Sequence, residues 1–146
     1  METNAATKLK GFDDMTDHSH CTQAKPAIGI LMLETTFPRI PGDIGNPKTF
    51  SFPIIHKTVS GASPQKVVID ADAGLIEGFI DAGHALVAQG VKLITTSCGF
   101  LALFHRQLVE ALPVPVYTSS LLQVHFAGTV IRRDQKLSLI HISEPT

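Results

Sequence analysis

The chain contains only two cysteines, Cys21 and Cys98, among its 146 residues. Small proteins that depend on disulfides are far richer in cysteine, and a chain of this length can bury a sizeable hydrophobic core without cross-links. We therefore predict that both thiols are free. A free thiol serves either as a small apolar residue or as a reactive group.

The sequence also lacks long apolar runs and clusters of basic residues. No stretch approaches the roughly 18 apolar residues of a membrane span, and the first ten residues lack the apolar core of a secretory signal. The net charge of -1 gives no electrostatic footprint for nucleic acid or for an anionic membrane surface. We expect a cytoplasmic protein that binds neither nucleic acid nor membrane.

The hydrophobic content of 44% is enough for one globular domain. Residues 1–25 mix charged, small and polar residues without periodicity, so we predict a flexible leader there and a domain over residues 26–132. The leader contains His18, His20 and Cys21 but no fourth ligand nearby. We therefore predict no metal site.

Apolar runs and helical patterns alternate from residue 27 onward. The runs predict strands at 27–33, 91–96 and 114–117, and the helical periodicity predicts helices at 75–87, 100–112 and 119–130. Two further segments, 52–59 and 65–69, are compatible with short strands. This alternation predicts an α/β fold with a doubly wound parallel sheet, whose ligand crevice lies at the carboxyl ends of the strands.

The stretch "TTSCGF", residues 95–100, places Cys98 where a predicted strand ends and a helix begins. A thiol at the first turn of a helix lies near unpaired N–H groups and the positive end of the helix dipole, which favours the thiolate. We predict that Cys98 is a catalytic or substrate-facing thiol; the alternative is a small buried residue. Gly99 would let a ligand approach the backbone closely.

Three hydroxyl residues at the same predicted edge could donate hydrogen bonds to a substrate carboxylate or cap the following helices. They are Thr96, Ser97 and Ser119. The histidines at positions 56, 84 and 105 are interpreted as surface or hydrogen-bonded residues, so no histidine base is predicted beside Cys98.

The segment 34–50, "ETTFPRIPGDIGNPKTF", is rich in proline and glycine, and we expect an ordered loop at the site. We predict that its residues 36–50 fold over the same edge as Cys98. Its Arg39 could bind a substrate carboxylate through two parallel hydrogen bonds, or could pair locally with Asp43. Both readings stay open at this point.

Three stretches together resemble the aspartate/glutamate/hydantoin racemase superfamily: "FPRIPGDIGNPKTF", "ALVAQGVKLITTSCGFLALF" and "LPVPVYTSSLLQV". The resemblance covers about residues 27–125 and implies one half of a two-domain fold with the active site between the halves. It implies no cofactor, and a thiolate that removes the α-proton of a small carboxylate or amino-acid-like substrate. By position, Cys98 resembles the cysteine of the N-terminal half.

Gly99 and Phe100 stand where many amino-acid racemases of that superfamily have Asn-Thr, so a hydantoin or an aryl acid is also compatible. Alternatives are a single-cysteine decarboxylase relative, or a carboxylate-binding or structural module without turnover. The end of the chain, "LSLIHISEPT", resembles translated adapter DNA. We therefore predict a non-native tail at residues 133–146, an incomplete and inactive racemase half, and possible homo-oligomers.

Overall fold

A computed structural model of the protein describes residues 26–138. Its centre is a sheet of four parallel strands, β1 (Ile28–Met32), β2 (Ile54–Thr58), β3 (Leu93–Thr96) and β4 (Val116–Tyr117). The sheet is flanked by helices, which confirms the predicted doubly wound α/β class. The predicted leader and the end of the predicted tail, residues 139–146, lie outside the described residues.

Three α-helices follow the strands: α1 (Ile76–Ala88), α2 (His105–Ala111) and α3 (Val124–Val130). Each is preceded by a 3-10 helix, at Ala73–Leu75, Gly99–Phe104 and Ser120–Gln123 respectively. The Asp72 carboxylate caps the first of these 3-10 helices by accepting a hydrogen bond from the Gly74 N–H at 2.9 Å. Gly90, just past α1, has a φ of 92°, which suits glycine at a helix end. Within residues 26–138, no helix is both long and apolar enough to cross a membrane.

The segment Gln65–Ile69 was expected to be compatible with a strand, and that expectation is wrong. It is a single π-helical turn, closed by a hydrogen bond from the Asp70 N–H to the Gln65 carbonyl at 3.1 Å. Pro64 precedes it with a φ of -54°, the value that starts a helical turn. Val67 is buried whereas Ile69 is exposed, so the apolar residues of this turn do not share one face.

The hydrophobic core lies between the sheet and helices α1 and α2. Its largest fully buried side chains come from strands β1 and β3 and from α1, α2 and the 3-10 helix before α2; they include Leu31, Phe79, Leu86, Ile94, Leu101 and Leu108. A strand buried on both faces reads as a continuous apolar run, which is why β1 was evident in the sequence.

The sheet order is β2-β1-β3-β4, so the chain first adds β2 on one side of β1 and then β3 on the other. This reversal is a topological switch point between β1 and β3. In open α/β sheets, such a point leaves a crevice beyond the carboxyl ends of the two strands. The segments that leave β1 and β3 are the predicted loop 34–50 and the "TTSCGF" turn.

Candidate active site

A cavity of about 330 Å³ opens at the switch point. It is lined by the segment after β1 through Leu33 and Thr35, and by the turn after β3 through Ser97, Cys98 and Gly99. Its volume is at the lower end of the range for small-molecule sites. The predicted crevice is therefore present, with Cys98 in its wall.

Cys98 occupies the N-cap position of the 3-10 helix Gly99–Phe104, in extended backbone conformation with φ -131° and ψ 122°. The thiol is free and only partly buried, and it packs in part against the hydrophobic core. The predicted placement at a helix start on the carboxyl edge of the sheet is confirmed. The other cysteine, Cys21, lies outside the described residues.

Ser97 joins the two strands of the switch point. Its N–H donates to the Leu31 carbonyl at 2.9 Å, and its hydroxyl oxygen accepts from the Leu33 N–H at 3.4 Å. Within residues 26–138, the Ser97 hydroxyl proton has no hydrogen-bond acceptor. Of the predicted hydroxyl residues, Ser97 is the best placed to donate a hydrogen bond to a ligand.

The loop 34–50 is ordered by its own polar groups, as expected. Asp43 accepts from the Gly45 N–H at 2.6 Å through Oδ1, and its carbonyl accepts from the Thr49 hydroxyl at 2.5 Å. The side-chain amide of Asn46 donates to the Arg39 carbonyl at 2.6 Å. These bonds order the loop internally, and its Arg39 lines the same cavity as Cys98.

The Arg39 guanidinium has three neighbours in the loop. Nη1 donates to Asp43 Oδ1 at 2.7 Å, Nη2 donates to the Thr35 hydroxyl at 3.0 Å, and the guanidinium carbon lies 4.8 Å from the centre of the Phe37 ring. The local pair with Asp43 is therefore present. Two of the five guanidinium N–H groups are engaged in these bonds, and within the described part of the chain three are left for a ligand.

The pKa of Asp43 lies below its ordinary value of 3.8. The main cause is the hydrogen bond from Arg39, followed by the bond from the Gly45 N–H, both of which favour the ionised carboxylate. Asp43 is thus an ionised residue of the loop and not a proton donor at neutral pH.

A second cavity of about 280 Å³ adjoins the first and shares Ser97 and Gly99 with it. Thr96 and Ser119 line this cavity, but both hydroxyls are already hydrogen-bonded to the backbone. The Thr96 hydroxyl donates to the Thr118 carbonyl at 2.6 Å, and Ser119 Oγ caps the next helix by accepting from the Leu121 N–H at 3.0 Å. The capping reading of Ser119 is confirmed, and carboxylate binding by Thr96 or Ser119 stays a prediction.

Two histidines are hydrogen-bonded, as interpreted from the sequence. His56 Nε2 lies 2.9 Å from the Ile44 carbonyl, and His105 Nδ1 lies 3.2 Å from the hydroxyl of the fully buried Thr118. Among residues 26–138, no group of three or more His, Cys, Asp or Glu side chains is arranged to hold a metal ion.

Sequence reasoning missed the aromatic side chains of the cavity. Phe37 and Phe100 both line it, with exposed fractions of 55% and 46%. Phe100 was noted only as compatible with an aryl acid, and Phe37 was not considered. The available signal was the position of each aromatic residue, within two residues of Arg39 or Cys98.

A scan against models of known protein families finds no match. Curated relatives do exist. The chain is 33% identical over 102 residues to dimethylsulfoniopropionate lyase 7 of Emiliania huxleyi (strain CCMP1516), an alignment covering 68% of this chain and 29% of that protein. It is 28% identical over 115 residues to dimethylsulfoniopropionate lyase 3 of the same organism, covering 78% of this chain and 30% of that protein.

A third relative comes from another organism. Dimethylsulfoniopropionate lyase of Durusdinium sp. clade D is 28% identical over 115 residues, covering 77% of this chain and 38% of that protein. The chain therefore spans less than two fifths of the length of each of these three proteins.

These relatives correct the family inferred from the sequence. The identification with the aspartate/glutamate/hydantoin racemase superfamily is wrong, because the relatives carry the name of a lyase. The predicted racemase or isomerase activity is wrong for the same reason, and the decarboxylase alternative does not match the names of the relatives better. The coarser expectation of an enzyme agrees with the names of the relatives.

Proposed function

We propose that this chain carries the thiol site of a lyase that cleaves a carbon–sulfur bond in dimethylsulfoniopropionate or a close analogue. The observation that carries the proposal is one cavity lined by a free thiol, a guanidinium and aromatic rings. It is supported by the relatives, all three of which are named dimethylsulfoniopropionate lyase.

The substrate has a carboxylate at C1, hydrogens at C2 and a positively charged dimethylsulfonio group at C3. In a β-elimination, the Cys98 thiolate takes one proton from C2, and the electron pair of that C–H bond forms the C2=C3 double bond. The C3–S bond breaks and its electron pair stays on sulfur. The products are neutral dimethyl sulfide, acrylate and a protonated Cys98, which then returns its proton to solvent.

Proton removal from C2 places negative charge on the carboxylate side of the substrate. Groups that stabilise this developing charge lower the barrier more than groups that bind the ground state alone. Arg39 and Ser97 line the cavity, and within residues 26–138 the guanidinium retains N–H groups without an acceptor and the hydroxyl retains its O–H. We therefore assign both residues to the substrate carboxylate. The exposed Gly99 backbone lies beside them at the start of the 3-10 helix.

The partner in this proposal is a small carboxylate, as the sequence suggested, although its chemical class is now a sulfonio acid. No step of the elimination requires a metal or an organic cofactor. A homo-oligomer and a cytoplasmic location remain predictions.

The test is release of dimethyl sulfide by the purified chain. The protein is incubated with dimethylsulfoniopropionate, the headspace sulfide is quantified by gas chromatography, and acrylate is followed by proton NMR in the same sample. We expect equal amounts of the two products. Cys98→Ser should lower the rate by at least about 100-fold, because a serine hydroxyl is a much weaker base than a thiolate.

Cys21→Ser is the matched control, because it removes the other thiol of the chain, and it should retain the wild-type rate. Sulfide release that survives Cys98→Ser but is lost in Cys21→Ser would contradict the assignment. Absence of both products with the wild-type chain would contradict the lyase proposal for this chain.

A further inference from the structure

Phe100 exposes a large apolar ring at the cavity that holds the thiol. The 3-10 helix Gly99–Phe104 has three residues per turn, so positions 101 and 104 share one face and positions 100 and 103 share another. Leu101 and Phe104 are buried in the core, whereas Phe100 and Leu103 are exposed. Phe100 is therefore not needed to fill the core, and its ring lines the cavity.

The second exposed ring of the cavity, Phe37, already has a cation beside it. The Arg39 guanidinium lies 4.8 Å from the ring centre. The guanidinium already occupies one face of this ring, and a second cation on that face would have to displace Arg39 from its contact with the ring and from its ion pair with Asp43. Phe37 is therefore unsuited to receive a positively charged substrate group.

We propose that Phe100 is the specificity-determining residue that receives the cationic end of the substrate through a cation–π contact. Phe37 instead holds Arg39, whose remaining N–H groups receive the carboxylate. The inference rests on the proposed function and deepens it by assigning an orientation to the substrate. The carboxylate lies towards Phe37 and Arg39, and the sulfonium lies over Phe100.

This orientation fits the position of the thiol. Cys98 lies two residues before Phe100 and lines the same cavity as Arg39. A substrate that spans from Arg39 to Phe100 presents its middle carbons between its two ends. C2 is one of these middle carbons, and its hydrogens are the ones that the base must reach in the elimination.

The consequence is a preference for cationic acids over neutral acids of the same shape. The matched pair is 3-(trimethylammonio)propionate and 4,4-dimethylpentanoate, which differ only by a positively charged nitrogen in place of a carbon. Neither carries the sulfonium leaving group, so binding can be measured without turnover. A cation–π contact of ordinary strength corresponds to an affinity ratio of roughly 2- to 30-fold.

The experiment measures protection of Cys98 from iodoacetamide in the full chain, with carboxamidomethylation of the Cys98 peptide quantified by mass spectrometry. For the wild-type chain, half-protection should need about 2- to 30-fold less of the cationic acid than of the neutral acid. Phe100→Leu should bring this ratio to about one, and Phe100→Tyr should retain it because the ring face is kept. Leu103→Ala is the matched control, since it removes an exposed apolar side chain from the same helix outside the cavity lining; it should leave the ratio unchanged.

Three results would overturn the inference: equal protection by the two acids in the wild-type chain, a ratio that persists in Phe100→Leu, or no protection by either acid. In the second case, an affinity ratio that is lost in Phe37→Leu would show that the cation binds at Phe37 and not at Phe100. Because protection needs no turnover, failure of the sulfide-release assay would leave these outcomes readable. Conversely, sulfide release without a ratio would refute only the role of Phe100.

Discussion

The hydroxyl of Thr96 lies 2.6 Å from the main-chain carbonyl of Thr118, and this hydrogen bond ties the end of β3 to the end of β4. The same hydroxyl is 3.1 Å from the carbonyl of Cys98. Thr96 and Thr118 are both buried. A hydroxyl residue that the sequence offered as a substrate donor thus fixes the backbone that carries the thiol.

Replacement of Thr96 by valine should destabilise the protein by about 1–3 kcal/mol, because the buried Thr118 carbonyl loses its donor while the side-chain shape is nearly preserved. The measurement is the free energy of unfolding from urea titration followed by circular dichroism. Thr96→Ser is the control, since it keeps the hydroxyl, and it should lose less than Thr96→Val. A stability of Thr96→Val equal to that of the wild type, or a smaller loss than in Thr96→Ser, would show that the hydrogen bond contributes little at this position.

Asp43 should make the loop sensitive to acid. Its folded pKa is lowered by the Arg39 hydrogen bond and the Gly45 N–H, so the unfolded chain takes up a proton first as the pH falls. The contribution of Asp43 to stability is therefore full above the unfolded value of 3.8 and is lost as the pH falls through the lower folded value. Asp43 is partly exposed, and the effect should be small and weakened by salt.

The measurement for Asp43 is the free energy of unfolding of the wild type and of Asp43→Asn at pH values between about 6 and 2. The difference between the two proteins should be largest at the upper end and shrink towards the acid end. Asp134→Asn is a control, because Asp134 pairs with Arg132 at a strongly exposed site. A difference for Asp43→Asn that grows as the pH falls would contradict the direction of the pKa shift.

The central strands and the position of the thiol could be predicted because their signals are local. Strand β1 lies within the predicted segment 27–33 and β3 within 91–96. Strand β1 is almost fully buried and therefore reads as a continuous apolar run. The turn at Gln65–Ile69 could not be predicted in the same way. Its two valines and isoleucine favour a strand, and the preceding proline and the packing of Val67 override that preference.

The site was predictable only in outline. Sequence order showed that Cys98 and the loop with Arg39 meet at one edge, because parallel strands bring their carboxyl ends together. It did not show that Thr96 is bonded to Thr118, or that Arg39 lies on Phe37. Such contacts depend on the directions of side chains in irregular segments. These segments lack the hydrophobic periodicity from which side-chain directions in helices and strands can be predicted.

Close packing between α1 and α2 should depend on Gly83. A Cβ atom at this position would lie 2.6 Å from Leu112 Cδ1 and 2.8 Å from Cδ2, and Leu112 is buried. Gly83→Ala should therefore destabilise the protein by up to about 2 kcal/mol, although alanine is the better helix former.

Gly128 in α3 provides the matched control for Gly83, because no neighbouring atom of residues 26–138 lies within 4 Å of the corresponding Cβ position. Gly128→Ala should stabilise by up to about 1 kcal/mol through helix propensity alone. Both changes are read from thermal unfolding. Stabilisation by Gly83→Ala would mean that the two helices can separate at little cost.

The last prediction separates folding from ligand binding at Gly99. Among the residues that the structure describes, a Cβ atom there would meet Ser119 Oγ at 3.5 Å and Leu121 Cδ1 at 4.0 Å, which are ordinary contacts, and the φ of Gly99 is not positive. Gly99→Ala should therefore change the free energy of unfolding by less than about 0.5 kcal/mol.

Gly99 nevertheless lines both cavities, so an added methyl group occupies space that a bound acid would need. We expect weaker protection of Cys98 from iodoacetamide by 3-(trimethylammonio)propionate and a higher KM for sulfide release, at unchanged stability. Unchanged protection and KM would show that no ligand approaches the backbone at this residue, and the carboxylate would then have to be bound by Arg39 and Ser97 alone.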